Sequence, residues 1–106
     1  NNLALSLREA AKALIARQGD IRQILQYLTE AQQHYATDPE ILALLSQALM
    51  QAGQPADAIQ WLNKLLEIQP GNLDALKALS QAYTLTGNAA QAQAVDLKIQ
   101  MLSGNR

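Results

Sequence analysis

Apolar residues recur along this chain every three or four positions, and Gly, Pro, Asp and Asn interrupt the recurrence at regular intervals. From Leu3 to Arg17, the residues Leu3, Leu7, Ala10, Ala11, Leu14 and Ile15 fall on one helical face. Gly19 supplies the permissive residue beyond that helix, and Asp20 caps a second one. The second runs to about Tyr35 with Ile21, Ile24, Leu25, Leu28 and Ala31 inward. Asp38-Pro39 is a compact start signal: a carboxylate to accept orphan amide protons, then a proline at the first helical position. The third helix reaches about Ala52 and carries Leu42, Leu45, Ala48 and Leu49 inward. Pro55 opens the fourth, which extends to about Ile68 with Ala58, Ile59, Leu62, Leu65 and Leu66 inside. Pro70-Gly71-Asn72 stops it, and Asn72 caps a fifth from Leu73 to Thr86. The sixth spans Ala89 to about Leu102, and Ser103 to Arg106 are expected to fray. No stretch alternates long enough for a half-buried strand. The pattern predicts six antiparallel helices in three hairpins joined by short connections.

The pattern is also periodic. Gly19, Gly53 and Gly87 are spaced 34 apart, and Pro39–Pro70 recurs 34 residues on. The identities are Leu42/Leu76, Leu45/Leu79, Ser46/Ser80, Gln47/Gln81, Ala48/Ala82, Gly53/Gly87, Ala56/Ala90, Ala58/Ala92 and Lys64/Lys98. A fixed period of this length marks stacked supersecondary units, none of which can bury its apolar face alone.

The order Leu42, Leu45-Ser46, Leu49, Gly53, Ala58, Leu62, Leu65, Pro70 resembles the tetratricopeptide repeat. The resemblance covers the whole chain as one domain with repeats at about 5–38, 39–72 and 73–106. It implies an all-α, right-handed superhelical solenoid of three antiparallel hairpins. Ser46, Ala58, Ser80 and Ala92 are small because the helices of a hairpin cross closely there. The first repeat departs: Arg8 stands where Leu42 and Leu76 stand, Lys12 where Ser46 and Ser80 stand, and Ile24 where Ala58 and Ala92 stand. Those exchanges predict a looser crossing and a terminal repeat degenerated into a solvent-facing cap. In the third repeat Leu62 becomes Asp96 and Leu66 becomes Gln100, so the array is expected to end near the sixth helix.

Composition narrows the chemistry. At 106 residues the chain allows one domain, with 49% apolar residues but no Phe, which suits packing through Ala and Leu. A net charge of −1 with scattered Lys and Arg offers no basic stripe to a phosphate backbone, so nucleic acid is not an expected partner. Zero cysteines exclude disulfides and thiol chemistry without fixing the compartment. No apolar run approaches the ~20 residues of a membrane span. The chain has no signal-peptide order at its start and does not begin with Met, which points to a processed chain or an excised domain.

His34, the only histidine, has no carboxylate at helical metal spacing and is read as a solvated or edge residue. Ser46 and Ser80 have no base nearby in sequence. The glycines form no phosphate loop. No enzyme, metal site or cofactor is expected. Tyr27 and Trp61, 34 apart, are read as packing aromatics rather than ligand anchors.

The resemblance implies that the first helices of successive repeats line a concave groove for a peptide. Carried over, the groove would display Ser6, Glu9, Ala13, Ala16 and Arg17. The second repeat would add Glu40, Ala43, Gln47, Met50 and Gln51, and the third Asp74, Lys77, Gln81, Thr84 and Leu85. Glu9, Arg17, Glu40, Gln47, Met50, Gln51, Asp74, Lys77 and Gln81 are its candidate binding residues. At the positions of the family's carboxylate clamp stand Glu9, Ala13, Leu44, Asp74 and Ala78, which would not hold an acidic chaperone tail. Glu9, Glu40 and Asp74 instead predict a preference for basic or amide-donating side chains. The expected function is a non-catalytic protein-interaction module, acting as a monomer or weak homodimer. The alternative is a self-association element of a larger assembly protein, one that flanking sequence could anchor to a membrane. In that case Leu3, Leu5 and Leu7 would supply an end face.

Overall fold

The computed structural model describes residues 2–104, with the side chains of residues 6–104. Six helices follow in order: α1 (Asn2–Ala16), α2 (Ile21–His34), α3 (Pro39–Gln51), α4 (Pro55–Ile68), α5 (Leu73–Leu85) and α6 (Ala89–Leu102). They form three antiparallel hairpins, α1–α2, α3–α4 and α5–α6. Hairpins stack through α2 against α3 and α4 against α5, while α3 and α5 also touch along the inner line. The stack is 43 Å long and only 25 and 22 Å across, the elongated form of a repeat array. Among the described residues no helix is long and apolar enough to cross a membrane.

The starts follow the predicted chemistry. Asp20 accepts from the Arg22 amide, Asp38 from those of Glu40 and Ile41, and Asn72 from that of Ala75. The stops contain one correction. Each turn within a hairpin closes with a paired backbone motif, in which the last two turn amides reach back to helix carbonyls. In the second hairpin Gly53 donates to Met50 at 3.1 Å and Gln54 to Leu49 at 2.9 Å. Gly87 and Asn88 repeat this in the third, and both glycines take the left-handed conformation, at φ 77° and 80°. In the first hairpin the motif is shifted one residue earlier. Gln18 donates to Ile15 and Gly19 to Leu14, so Gln18, at φ 54°, carries the left-handed geometry expected of Gly19. The shift arises because α1 ends at Ala16, one residue short of the repeat register, and Asp20 fills the added place as a side-chain cap. Gly19 is small for a different reason: a Cβ there would lie 3.0 Å from Leu14 Cδ2 and 3.3 Å from the Leu14 carbonyl oxygen.

The core runs through all three hairpins and includes Ala11, Ile24, Leu28, Leu42, Leu45, Ala58, Leu62, Leu65 and Leu79. Within it the first hairpin corrects the expectation of a loose crossing. Ile24 occupies the place of Ala58, but Ala11 occupies the place of Leu45, and all four are buried. Large and small residues have exchanged helices, and α1 packs along α2 as fully as α3 along α4. Tyr27 and Trp61 are half-buried against this core, consistent with packing. Ile41 and Ala75, outside the predicted single faces, are buried because α3 and α5 are covered on a second side by the preceding hairpin. At the far end Asp96 is tied to its own hairpin: Ser80 donates to it at 2.6 Å.

Candidate functional site

The inner line of the stack is made by α1, α3 and α5, and each gap between them has its own character. Between α3 and α5 the facing residues are small: Ala43 and Ser46 on one side, Ala75 and Ala78 on the other. They leave a cleft of about 400 Å³ floored by Leu62 and Leu65 of α4, with Met50, Gln47, Gln81, Asn72 and Asp74 around it. The floor is almost fully buried, at 2% and 1% exposure. Ser46 donates its hydroxyl back to the Leu42 carbonyl at 2.8 Å, so it presents little polarity to the cleft. Asn72 is similarly spent, accepting from the Ala75 amide and donating to Gln69. The groups left to meet a ligand are the Gln47 and Gln81 amides and the Asp74 carboxylate. Among the described residues Asp74 forms no ion pair.

The gap between α1 and α3 is closed by charge. Arg8 Nη1 lies 3.1 Å from Asp38 and 3.3 Å from Glu40, and its Nε lies 3.5 Å from Glu9. Lys12 reaches Glu40 at 3.0 Å and Glu9 at 3.7 Å. Its hydrogen bond to Glu40, reinforced by the charges of Glu40 and Glu9, holds the ammonium pKa above the usual lysine value. Arg8 and Asp38 are each only 19% exposed in their side chains, so this pair is better shielded than a surface ion pair. The Arg8 Nε is buried without a hydrogen-bond acceptor. Arg8 and Lys12 stand where the other repeats carry Leu and Ser. They fasten α1 to the start of α3, where Asp38 caps the helix with one oxygen and holds Arg8 with the other.

This divides the predicted groove residues. Gln47, Met50, Asp74 and Gln81 come together at the cleft. Glu9 and Glu40 are exposed but committed to Arg8 and Lys12, so the expected acidic row shrinks to Asp74. Gln51 lies beside Gln18, Gly19 and Ile24, on the flank of α3 that faces the first hairpin. Arg17 is exposed just beyond the end of α1, and Lys77 is exposed on α5 outside the cleft. An inner helix has two flanks, and a linear series of groove positions merges them. The helical period places Leu62 and Leu65 in the core, and the fold makes their upper surface the cleft floor. Of the suggested end face, Leu3 and Leu5 lie outside the described side chains, and Leu7 is half-buried.

A tetratricopeptide repeat family model matches residues 16–71, more than half of the 106 in the chain. The chain belongs to the tetratricopeptide repeat family. A point mutant of MamA has the same fold, with a TM-score of 0.86 at 16% identity over 93% of this chain and 72% of its own. No curated protein matches the chain. Tetratricopeptide repeats are in general protein-interaction modules with a non-catalytic fold. In this member Ser80 meets a carboxylate with no histidine base, and Ser46 is buried with its proton committed to a carbonyl.

Proposed function

We propose that this domain is a non-catalytic binding module that takes a partner segment along its concave face and seats one apolar side chain in the α3–α5 cleft. The cleft carries the reading: an opening of about 400 Å³ with a leucine floor and small walls has the size and polarity to receive a large aliphatic or aromatic side chain. Gln47 and Gln81 offer both donors and acceptors to the segment's backbone. Asp74, the acid at the cleft that forms no ion pair among the described residues, favours a Lys or Arg near the apolar anchor. The partner chemistry is a peptide with a large apolar residue close to a basic one.

A randomised peptide pool bound to the domain tests this. Enrichment of apolar-basic pairs is the expected result, weakening as salt rises. Ala78→Leu fills the cleft and is expected to reduce affinity by at least about tenfold, equivalent to about 1.4 kcal/mol, while leaving the helical spectrum intact. Asp74→Lys is expected to reverse the charge preference at unchanged stability, whereas Glu40→Lys lowers stability by repelling Arg8 and Lys12. Selection of acidic tails by the unmodified domain, or full binding by the filled-cleft variant, would overturn the assignment.

A further inference from the structure

The outermost line of each hairpin's second helix faces directly away from the core, and the three lines differ. On α2 it is polar throughout, from Arg22 to Gln33, and on α4 it is Ala56, Gln60, Asn63 and Glu67, all exposed. On α6 the same repeat positions are Ala90, Ala94, Leu97 and Met101, again all exposed. Leu97 and Met101 are 61% and 78% accessible, and they lie opposite the face by which Ala92, Val95 and Ile99 meet the domain. Nothing in the packing of the array calls for apolar residues there. At the places of Leu97 and Met101 the other two hairpins carry Thr29 and Gln33, and Asn63 and Glu67.

We infer that the outer face of α6 is a homodimer interface, pairing with the same face of a second copy in antiparallel orientation. The occupant is indicated by the order of sizes along the line. Spacings of four, three and four residues make the continuous seam of a helix pair. Two small residues precede two large ones, so reversing the partner sets Met101 against Ala90 and Leu97 against Ala94, each large side chain over a small one. A parallel pair would set large on large at one end and leave a void at the other. The flanks agree with the antiparallel arrangement: Lys98 falls beside Gln91 of the second copy, and Gln93 beside Gln100, so no like charges meet. Two helices of 14 residues bury well under the ~1,200 Å² of a standard interface, which places the dimer in the weak, concentration-dependent class.

Sedimentation equilibrium on the 106-residue chain over a concentration series is the primary measurement. The apparent mass is expected to rise from that of one chain toward that of two. Leu97→Gln with Met101→Gln should hold it at one chain, with the helical spectrum and concave-face peptide binding unchanged. Orientation is read by cross-linking, for which the chain offers a clean background because it has no cysteine. Ala90→Cys mixed with Met101→Cys should form the mixed disulfide faster than either variant forms its own. A monomer at every concentration up to about 1 mM, or a dimer undiminished by the glutamine substitutions, would overturn the interface. Faster cross-linking of Met101→Cys with itself would overturn the antiparallel arrangement.

Discussion

If the first hairpin crosses tightly only because Ala11 and Ile24 have exchanged sizes relative to Leu45 and Ala58, then the same exchange can be built into the second hairpin. Leu45→Ala removes three carbons from a side chain 2% exposed and should cost about 2–5 kcal/mol. Ala58→Ile adds three carbons where exposure is 0% and should cost about 1–3 kcal/mol through overpacking. Added together, these losses approach the whole stability of a small domain, roughly 5–15 kcal/mol, and the double variant would sit near its unfolding limit. If the two sites are complementary, the double variant should recover about 1–3 kcal/mol of that sum, because the new isoleucine occupies the space the leucine left. Urea midpoints followed by circular dichroism measure the cycle, and each kcal/mol should also move Tm by about 4–8 °C. Ile24→Leu in the first hairpin is the control, nearly volume-conserving and expected to cost less than about 1.5 kcal/mol. Strictly additive losses at Leu45 and Ala58 would refute the size-exchange account of the first hairpin.

Gln18→Gly should raise the unfolding free energy measured in urea by about 0.5–1 kcal/mol by relieving a left-handed non-glycine residue, whereas Gly19→Ala should lower it by pressing a methyl against Leu14. Asp38→Ala should cost more than the ~1 kcal/mol of a lost cap because it also strips Arg8 of a partner, while Asp38→Asn keeps the cap and should fall between it and the unmodified chain; an Asn variant as stable as the unmodified chain would separate Arg8 from the effect. The Lys12 pKa is raised in the fold, so its contribution is complete below the unfolded lysine value and is lost as pH rises through the folded one. Melting curves from about pH 9 to about pH 12 should show an alkaline decline that Lys12→Met reduces.

The array was legible because its information is local and repeated. Pro39, Pro55, Asn72 and the 34-residue period locate α3, α4 and α5 without any long-range contact, and the start and end of α4 fall where the sequence puts them. The first turn was not legible at that level, since Gly19 occupies the repeat register of Gly53 and only the early end of α1 moves the left-handed residue onto Gln18. Ile41 was missed because a helix inside a stack buries two faces, and the helical period identifies one face at a time. The site was legible only in part. Gln47, Asp74 and Gln81 could be placed on inner helices by register, but the cleft is three-dimensional: its floor belongs to α4, and its depth comes from alanines and a serine on α3 and α5. The row of groove acids misled most directly, because Glu9 and Glu40 have cationic partners on α1 that a count along the groove cannot assign to them.

The two gaps between the inner helices show why those partners matter. Both are bounded by inner helices of neighbouring hairpins, and both must be either filled or left open. At α1–α3 the gap is filled by long charged side chains, whose ends meet at 3.0–3.7 Å. Replacing Arg8 and Lys12 by the Leu and Ser of the other repeats would remove both cations from Glu9 and Glu40 and free those acids to act on a ligand. At α3–α5 the repeat keeps Leu42 and Ser46 in those places, and the gap stays open down to Leu62 and Leu65. The same exchange thus bears on two properties: it is expected to make the joint between the first and second hairpins sensitive to salt, and it leaves the α3–α5 cleft as the open gap on which the proposed binding rests.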